Sequence, residues 1–142
     1  MMESFSRRLV AVAVASLLVT WAAACGSNKE AKRLPFGNVE SPKPGEGLRD
    51  SVRVSGWAIA DQGVQRVDVY WDDSLAATTH TGVSRPDVQK VYPNARDGAT
   101  SGFDLTLSLS ALSPGAHQLT VQIRSNDDAV RELYRNPQTV FP

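Results

Sequence analysis

The chain has one cysteine, Cys25, and only two histidines, His80 and His117, in 142 residues. A lone thiol closes no internal disulfide, so the fold must rest on its packed core. Two isolated imidazoles form no His-Glu-x-x-His pair, and neither a Gly-x-Ser-x-Gly elbow nor a phosphate-binding loop is present. Charge of one sign is also missing, because 15 basic residues balance 15 acidic ones. Such a chain has no overall field to draw in a polyanion, which disfavours nucleic acid as a partner. Aromatic residues make up only 7% of the chain, so any ring outside a core-facing stripe becomes a candidate for binding. These absences point away from an enzyme and away from a bound cofactor, toward one small domain.

What is present begins with an export signal. Arg7-Arg8 form a positive segment, and Leu9 to Trp21 are apolar apart from Ser16 and Thr20. Ala22-Ala23-Ala24 then place small residues before Cys25. The run is shorter than the ~20 apolar residues of a spanning helix, and fits a cleaved signal peptide over residues 1–24. An uncleaved anchor helix is the alternative. Cys25 after three alanines resembles the lipobox of bacterial lipoproteins, which implies diacylation of that thiol. The expected partner is therefore a lipid bilayer, reached through acylated Cys25 on the extracytoplasmic side. Gly26 after the cysteine mildly favours the outer membrane by the same resemblance. Residues 25–34 are polar and aperiodic and read as a short tether, leaving 35–142 as the domain.

Beyond the tether, short alternating runs are broken by turn residues every 8–12 residues or so, the pattern of an all-β sandwich or barrel. Strands are expected at Phe36–Glu40, Ser51–Ala60, Val64–Trp71 and Leu75–Thr81, the last on an edge. Phe103, Leu105, Leu107 and Leu109 alternate with polar residues in the clearest period-two run. His117, Leu119, Val121 and Ile123 mark another strand. The last spans Ala129 to Tyr134 and resumes at Gln138–Phe141. That makes about seven strands, enough for two facing sheets. Gly56 within the second strand marks a bulge or a close backbone approach. Ser84-Arg85-Pro86-Asp87 has the spacing of a capping box, so a short helix is expected near 85–92, stopped by Pro93 and bridging the sheets.

Several stretches together resemble a known family. They are Val54-Ser55-Gly56-Trp57-Ala58, Gly63 to Tyr70, Gly82 to Val88, Tyr92-Pro93, Ser101-Gly102-Phe103 and Leu112 to Val121. Their order and spacing are similar to a bacterial Ig-like domain over roughly Val39 to Leu133. The resemblance implies an Ig-like or fibronectin-III-like β-sandwich, used as a spacer or adhesion-type module without catalysis. Two turns depart from that pattern. Asp73 stands where such domains often carry Gly, and Ser125-Asn126-Asp127-Asp128 replaces an expected Asp and later Gly.

Four residues are candidates for ligand contact. Trp57 and Tyr70 fall on the faces opposite the apolar stripes of their strands, Tyr92 ends the expected helix, and Arg85 stands at its start. Exposed rings can stack on sugars or anchor a protein, but rings are also readily covered in a small domain. Arg85 and Asp87 are also explained by capping and pairing. His117 sits on an apolar face beside a turn, as a satisfied corner histidine would. Asp72, Asp73, Asp127 and Asp128 are hard oxygen donors in turns, as in Ca²⁺ sites, yet they lack the spacing of a calcium loop and serve equally as turn formers. Two functions follow. One is a structural or adhesion-type lipoprotein touching an envelope protein or component, with the edge near Leu75–Thr81 open to strand addition. The other, ranked second, is a glycan-binding module with Trp57, Tyr70 or Tyr92 as its platform, favoured by a contiguous exposed aromatic row with Asp, Asn or Arg nearby.

Overall fold

Side chains in a strand alternate between faces, so a stripe of apolar residues at every second position buries one face and leaves the other to water. The computed structural model, which describes residues 33–142, realises this alternation as eight strands in two facing sheets. The signal segment, Cys25 and the tether as far as Lys32 lie outside the described residues. The strands are β1 (Phe36–Ser41), β2 (Gly47–Leu48), β3 (Ser51–Ile59), β4 (Val64–Trp71), β5 (Ser74–Thr79), β6 (Gly102–Ser108), β7 (Gly115–Ser125) and β8 (Val130–Val140). One sheet has the order β1-β3-β6 and the other β2-β8-β7-β4-β5. The chain crosses from β5 to β6 through a short helix, α1 (Pro86–Val91), and a single 3-10 turn at Gly98–Thr100.

The core lies between the sheets. Val52 and Val54 of β3, with Phe103 of β6, face Val67, Val69 and Trp71 of β4 and Leu119, Val121 and Ile123 of β7, all buried in one cluster. Gly56 of β3 is a close backbone approach: a Cβ there would collide with the carbonyl oxygen of Asn38 on β1. The register shift lies in β1 instead, between Val39 and Ser41.

Three expectations are corrected. A strand of two residues, β2, pairs in parallel with Thr139 and Val140 inside what reads as a turn-rich connection; so short an element shows no period. The last strand does not break at Pro137. It runs unbroken along β7, and β2 covers only its far end, so the missing N–H of Pro137 falls on an open edge. The capping box does not form. Arg85, not Ser84, occupies the N-cap with no side-chain cap, and Pro86 begins the helix, where its lack of an N–H costs nothing. The carboxylate of Asp87 is turned to the Arg85 guanidinium instead.

The β4–β5 hairpin turns on Asp72 and Asp73, both left-handed at φ 47° and 67°. A two-residue turn with two positive φ values matches the twist of the flanking strands. The turn thus keeps its geometry without the glycine of the family pattern. Asp50, Asp97 and Asp128 are also left-handed. A short polar side chain that bonds to nearby backbone eases the steric cost of that region.

Candidate ligand-binding site

Because Val52 and Val54 point inward, Trp57 of the same strand projects from the outer face of the three-stranded sheet. Phe36, which opens β1 opposite Ile59, projects beside it. Tyr92 is delivered by α1, where its N–H closes the helix on the Val88 carbonyl at 2.9 Å. The three rings meet, with centroids 6.0 Å apart for Phe36–Trp57, 5.3 Å for Phe36–Tyr92 and 5.6 Å for Trp57–Tyr92. Phe36 and Trp57 are half-buried, whereas Tyr92 is 38% exposed and offers the accessible edge of the group. Beside it opens a cleft of about 350 Å³. Phe36, Ile59 and Tyr92 supply its apolar side, and Arg33, Asp61, Asn94 and Arg96 its polar side.

The helix that carries Tyr92 is pinned by Arg85. Its guanidinium donates to both oxygens of Glu40 on β1 at 3.0 Å, and to both oxygens of Asp87 at 3.0 and 2.7 Å. Hydrogen bonding to Arg85 is the main cause that brings the Asp87 carboxyl down to about 2. All four hydrogen bonds of this fork are internal. Arg85 therefore ties α1 to β1 and supports the helix that carries Tyr92. Tyr70 is not brought to the cluster; it lies half-buried on β4 in the other sheet.

The four turn aspartates are engaged one by one. Asp72 Oδ1 accepts the Gln118 N–H at 2.8 Å, Asp73 lies 3.4 Å from Arg135, Asp127 accepts the Ser125 hydroxyl, and Asp128 lies 3.6 Å from Arg124. Among the described residues no three His, Cys, Asp or Glu side chains cluster as metal ligands. His80, exposed just beyond β5, faces the Gln65 carbonyl at 2.9 Å.

His117 stands at the corner where β7 meets the β4–β5 turn. Its Nδ1 is 2.5 Å from Asp72 Oδ2 and its Nε2 is 2.7 Å from the Ser113 carbonyl. Both partners are acceptors, an arrangement that suits the protonated ring, in which both nitrogens donate. Asp72 first, then the Ser113 carbonyl, raise its pKa above the ordinary 6.5. His117 first, then the Gln118 N–H, lower that of Asp72 below 3.8. A raised histidine pKa gives stability that is complete below 6.5 and is lost as pH rises through the folded value. A lowered carboxyl pKa gives stability present above 3.8 and lost as pH falls through the folded value. Urea titrations from about pH 6 to about pH 8 are therefore expected to show falling stability, by less than ~1.4 kcal/mol per pH unit for one proton. His117→Gln is expected to flatten that window; an unchanged slope would remove His117 as its source.

Sequence reasoning singled out Trp57 and Tyr92 but missed Phe36, Arg33, Asp61, Asn94 and Arg96. Phe36 faces Trp57 only because of the β1–β3 register, a long-range property. The polar residues come from three separate segments: the chain before β1, the β3–β4 turn and the loop after α1. The one available signal was the polar loop after Pro93, which supplies Asn94 and Arg96.

A family model described as a bacterial Ig domain matches residues 35–121. Among solved structures, the chain is similar to the fibronectin(III)-like modules of Clostridium thermocellum CbhA, with 19% identity and a TM-score of 0.51, covering 74% of this chain and 94% of that one. It is also similar to part of the endo-beta-1,4-mannanase from Thermotoga petrophila, with 12% identity and a TM-score of 0.52, covering 79% of this chain and 21% of that one. At such identities the likeness is one of fold. No curated protein sequence matches.

Proposed function

Because the chain belongs to the bacterial Ig-domain family, we propose that it is a non-catalytic binding module on the extracytoplasmic side of a bacterial envelope, acylated at Cys25, and that its ligand is a saccharide. The single observation behind the ligand class is the Phe36–Trp57–Tyr92 group with its cleft. A pyranose has an apolar C–H face and a rim of hydroxyls that donate and accept. The exposed part of Tyr92 suits the first. The guanidinium groups of Arg33 and Arg96, the carboxylate of Asp61 and the amide of Asn94 suit the second.

Calorimetry with envelope and plant-wall oligosaccharides tests this reading. Tyr92→Ala is expected to weaken binding at least about tenfold, roughly 1.4 kcal/mol, while the melting temperature barely moves because the ring is partly exposed. Binding of equal strength in that variant would remove the cleft from the account.

A second reading has its own observation. β5 pairs only with β4, so its far side is an open edge, and its Leu75 is 59% exposed. Ser74 to Thr79 carries no charge to discourage another strand. Saturable pairing of an extended peptide with β5, in place of saccharide binding, would favour it.

A further inference from the structure

We propose that the saccharide taken by this cleft is the headgroup of a glycolipid in the same membrane that anchors the protein. The inference rests on the saccharide reading and on acylation at Cys25, and it goes further by naming where the sugar is carried.

Chain length sets the first constraint. Gly26 to Arg33 is eight residues, and a fully extended chain of that length reaches at most about 29 Å. Arg33 is itself part of the cleft lining. The cleft therefore cannot leave the neighbourhood of the acylated cysteine, however the tether bends.

Surface chemistry sets the second. Leu34 is 53% exposed and Val91 is 67% exposed, and both adjoin the cleft in sequence or line it. With Tyr92, Arg33 and Arg96 they make a mixture of apolar, phenolic and guanidinium groups. That is the composition favoured at a membrane–water interface, where rings and long cationic side chains have one apolar and one wetted end.

Affinity sets the third. The side chains of Arg33 and Arg96 are 72% and 60% exposed, and their acid partners Asp61 and Asp97 stand 4.0 and 3.7 Å away. An open site with exposed polar side chains must order them on binding, so its hold on a free sugar is weak. Confinement to the same surface supplies effective concentrations in the millimolar range on a short linker. A weak cleft is filled under that condition, whereas a dilute soluble sugar leaves it empty.

The test uses the acylated full-length protein on phosphatidylcholine vesicles with and without a sparse glucosyl diacylglycerol. Backbone hydrogen exchange at residues 91–96 is the readout. A second protein carries about 24 Gly and Ser residues inserted after Ser27, which lengthens the tether roughly fourfold, about doubles the depth of the layer that the domain samples and so about halves the local glycolipid concentration. The expected result is exchange slowed further with the glycolipid than on plain vesicles, and about half of that added protection with the long tether. Free glucoside at high concentration should protect both proteins equally. Protection by free glucoside with none from the glycolipid, or equal protection with both tethers, overturns the membrane-borne ligand and leaves the saccharide reading standing. No protection by either sugar overturns both. Protection on plain vesicles equal to that with the glycolipid shows a bare lipid contact and also overturns the proposal.

Discussion

Phe103→Ala is expected to destabilise the domain by about 3–5 kcal/mol, enough to leave much of the protein unfolded near 37 °C. Phe103, the second residue of β6, is 1% exposed, in the same buried cluster as Val54, Val69 and Val121. Its ring fills the space left by Gly56, reaching within 3.0 Å of where a Cβ would stand. Removing it takes away a large apolar side chain and leaves a cavity that neighbouring strands cannot collapse into, since both sheets are fixed by their ladders. A domain of this size has a total stability of roughly 5–15 kcal/mol. The loss corresponds to a fall in melting temperature on the order of 15–25 °C. Thermal unfolding followed by circular dichroism checks it. A fall of only a few degrees would mean that Phe103 is not the keystone of the β3–β6 pair.

Gly56→Ala is expected to cost about 3 kcal/mol, the upper end of what overpacking exacts, and to act on the site as well as on the fold. The added methyl meets the Asn38 carbonyl, which is backbone and cannot rotate away, and the Phe103 ring. The only relief is for β1 to move off β3. β1 carries Phe36, which packs on Trp57 and Tyr92, and Glu40, which fixes Arg85 and through it α1. Hydrogen exchange should therefore quicken along Phe36–Ser41 before the rest of the sandwich opens. Saccharide binding should fail at temperatures where circular dichroism still reports a folded domain. Uniform acceleration of exchange through all strands would contradict this coupling.

The two substitutions show where sequence reading was sufficient and where it was not. Val64–Trp71 was legible end to end, because Val67, Val69 and Trp71 alternate between turn residues. The inward stripe of β3 gave away the outward direction of Trp57 by the same logic. The short helix was legible from Pro86 and Pro93, but its cap was not. Ser84 has the right spacing, yet the local pattern cannot show that Glu40, 45 residues away, would help draw Arg85 and Asp87 into an ion-paired fork. β2 escaped because two residues have no periodicity. The gap expected between Tyr134 and Gln138 closes because Pro137, which lacks an N–H, lies where one side of β8 is an edge, as only the strand order reveals. The site was half legible for the same reason. Ring chemistry can be read residue by residue, whereas the meeting of Phe36, Trp57 and Tyr92 depends on register and on a docked helix.

The central claim is that this Ig domain works on a membrane surface, held there by Cys25. Intact mass and membrane fractionation of the native protein, beside a Cys25→Ser variant, test it most directly. The account predicts that the native chain begins at Cys25, carries the added mass of a diacylglyceryl group and sediments with the membrane. It predicts that the variant lacks that mass and is released from the membrane, since two acyl chains supply the anchoring energy at about 0.8 kcal/mol per buried methylene. Native protein that is unmodified and soluble would contradict the account, and with it the membrane-borne ligand.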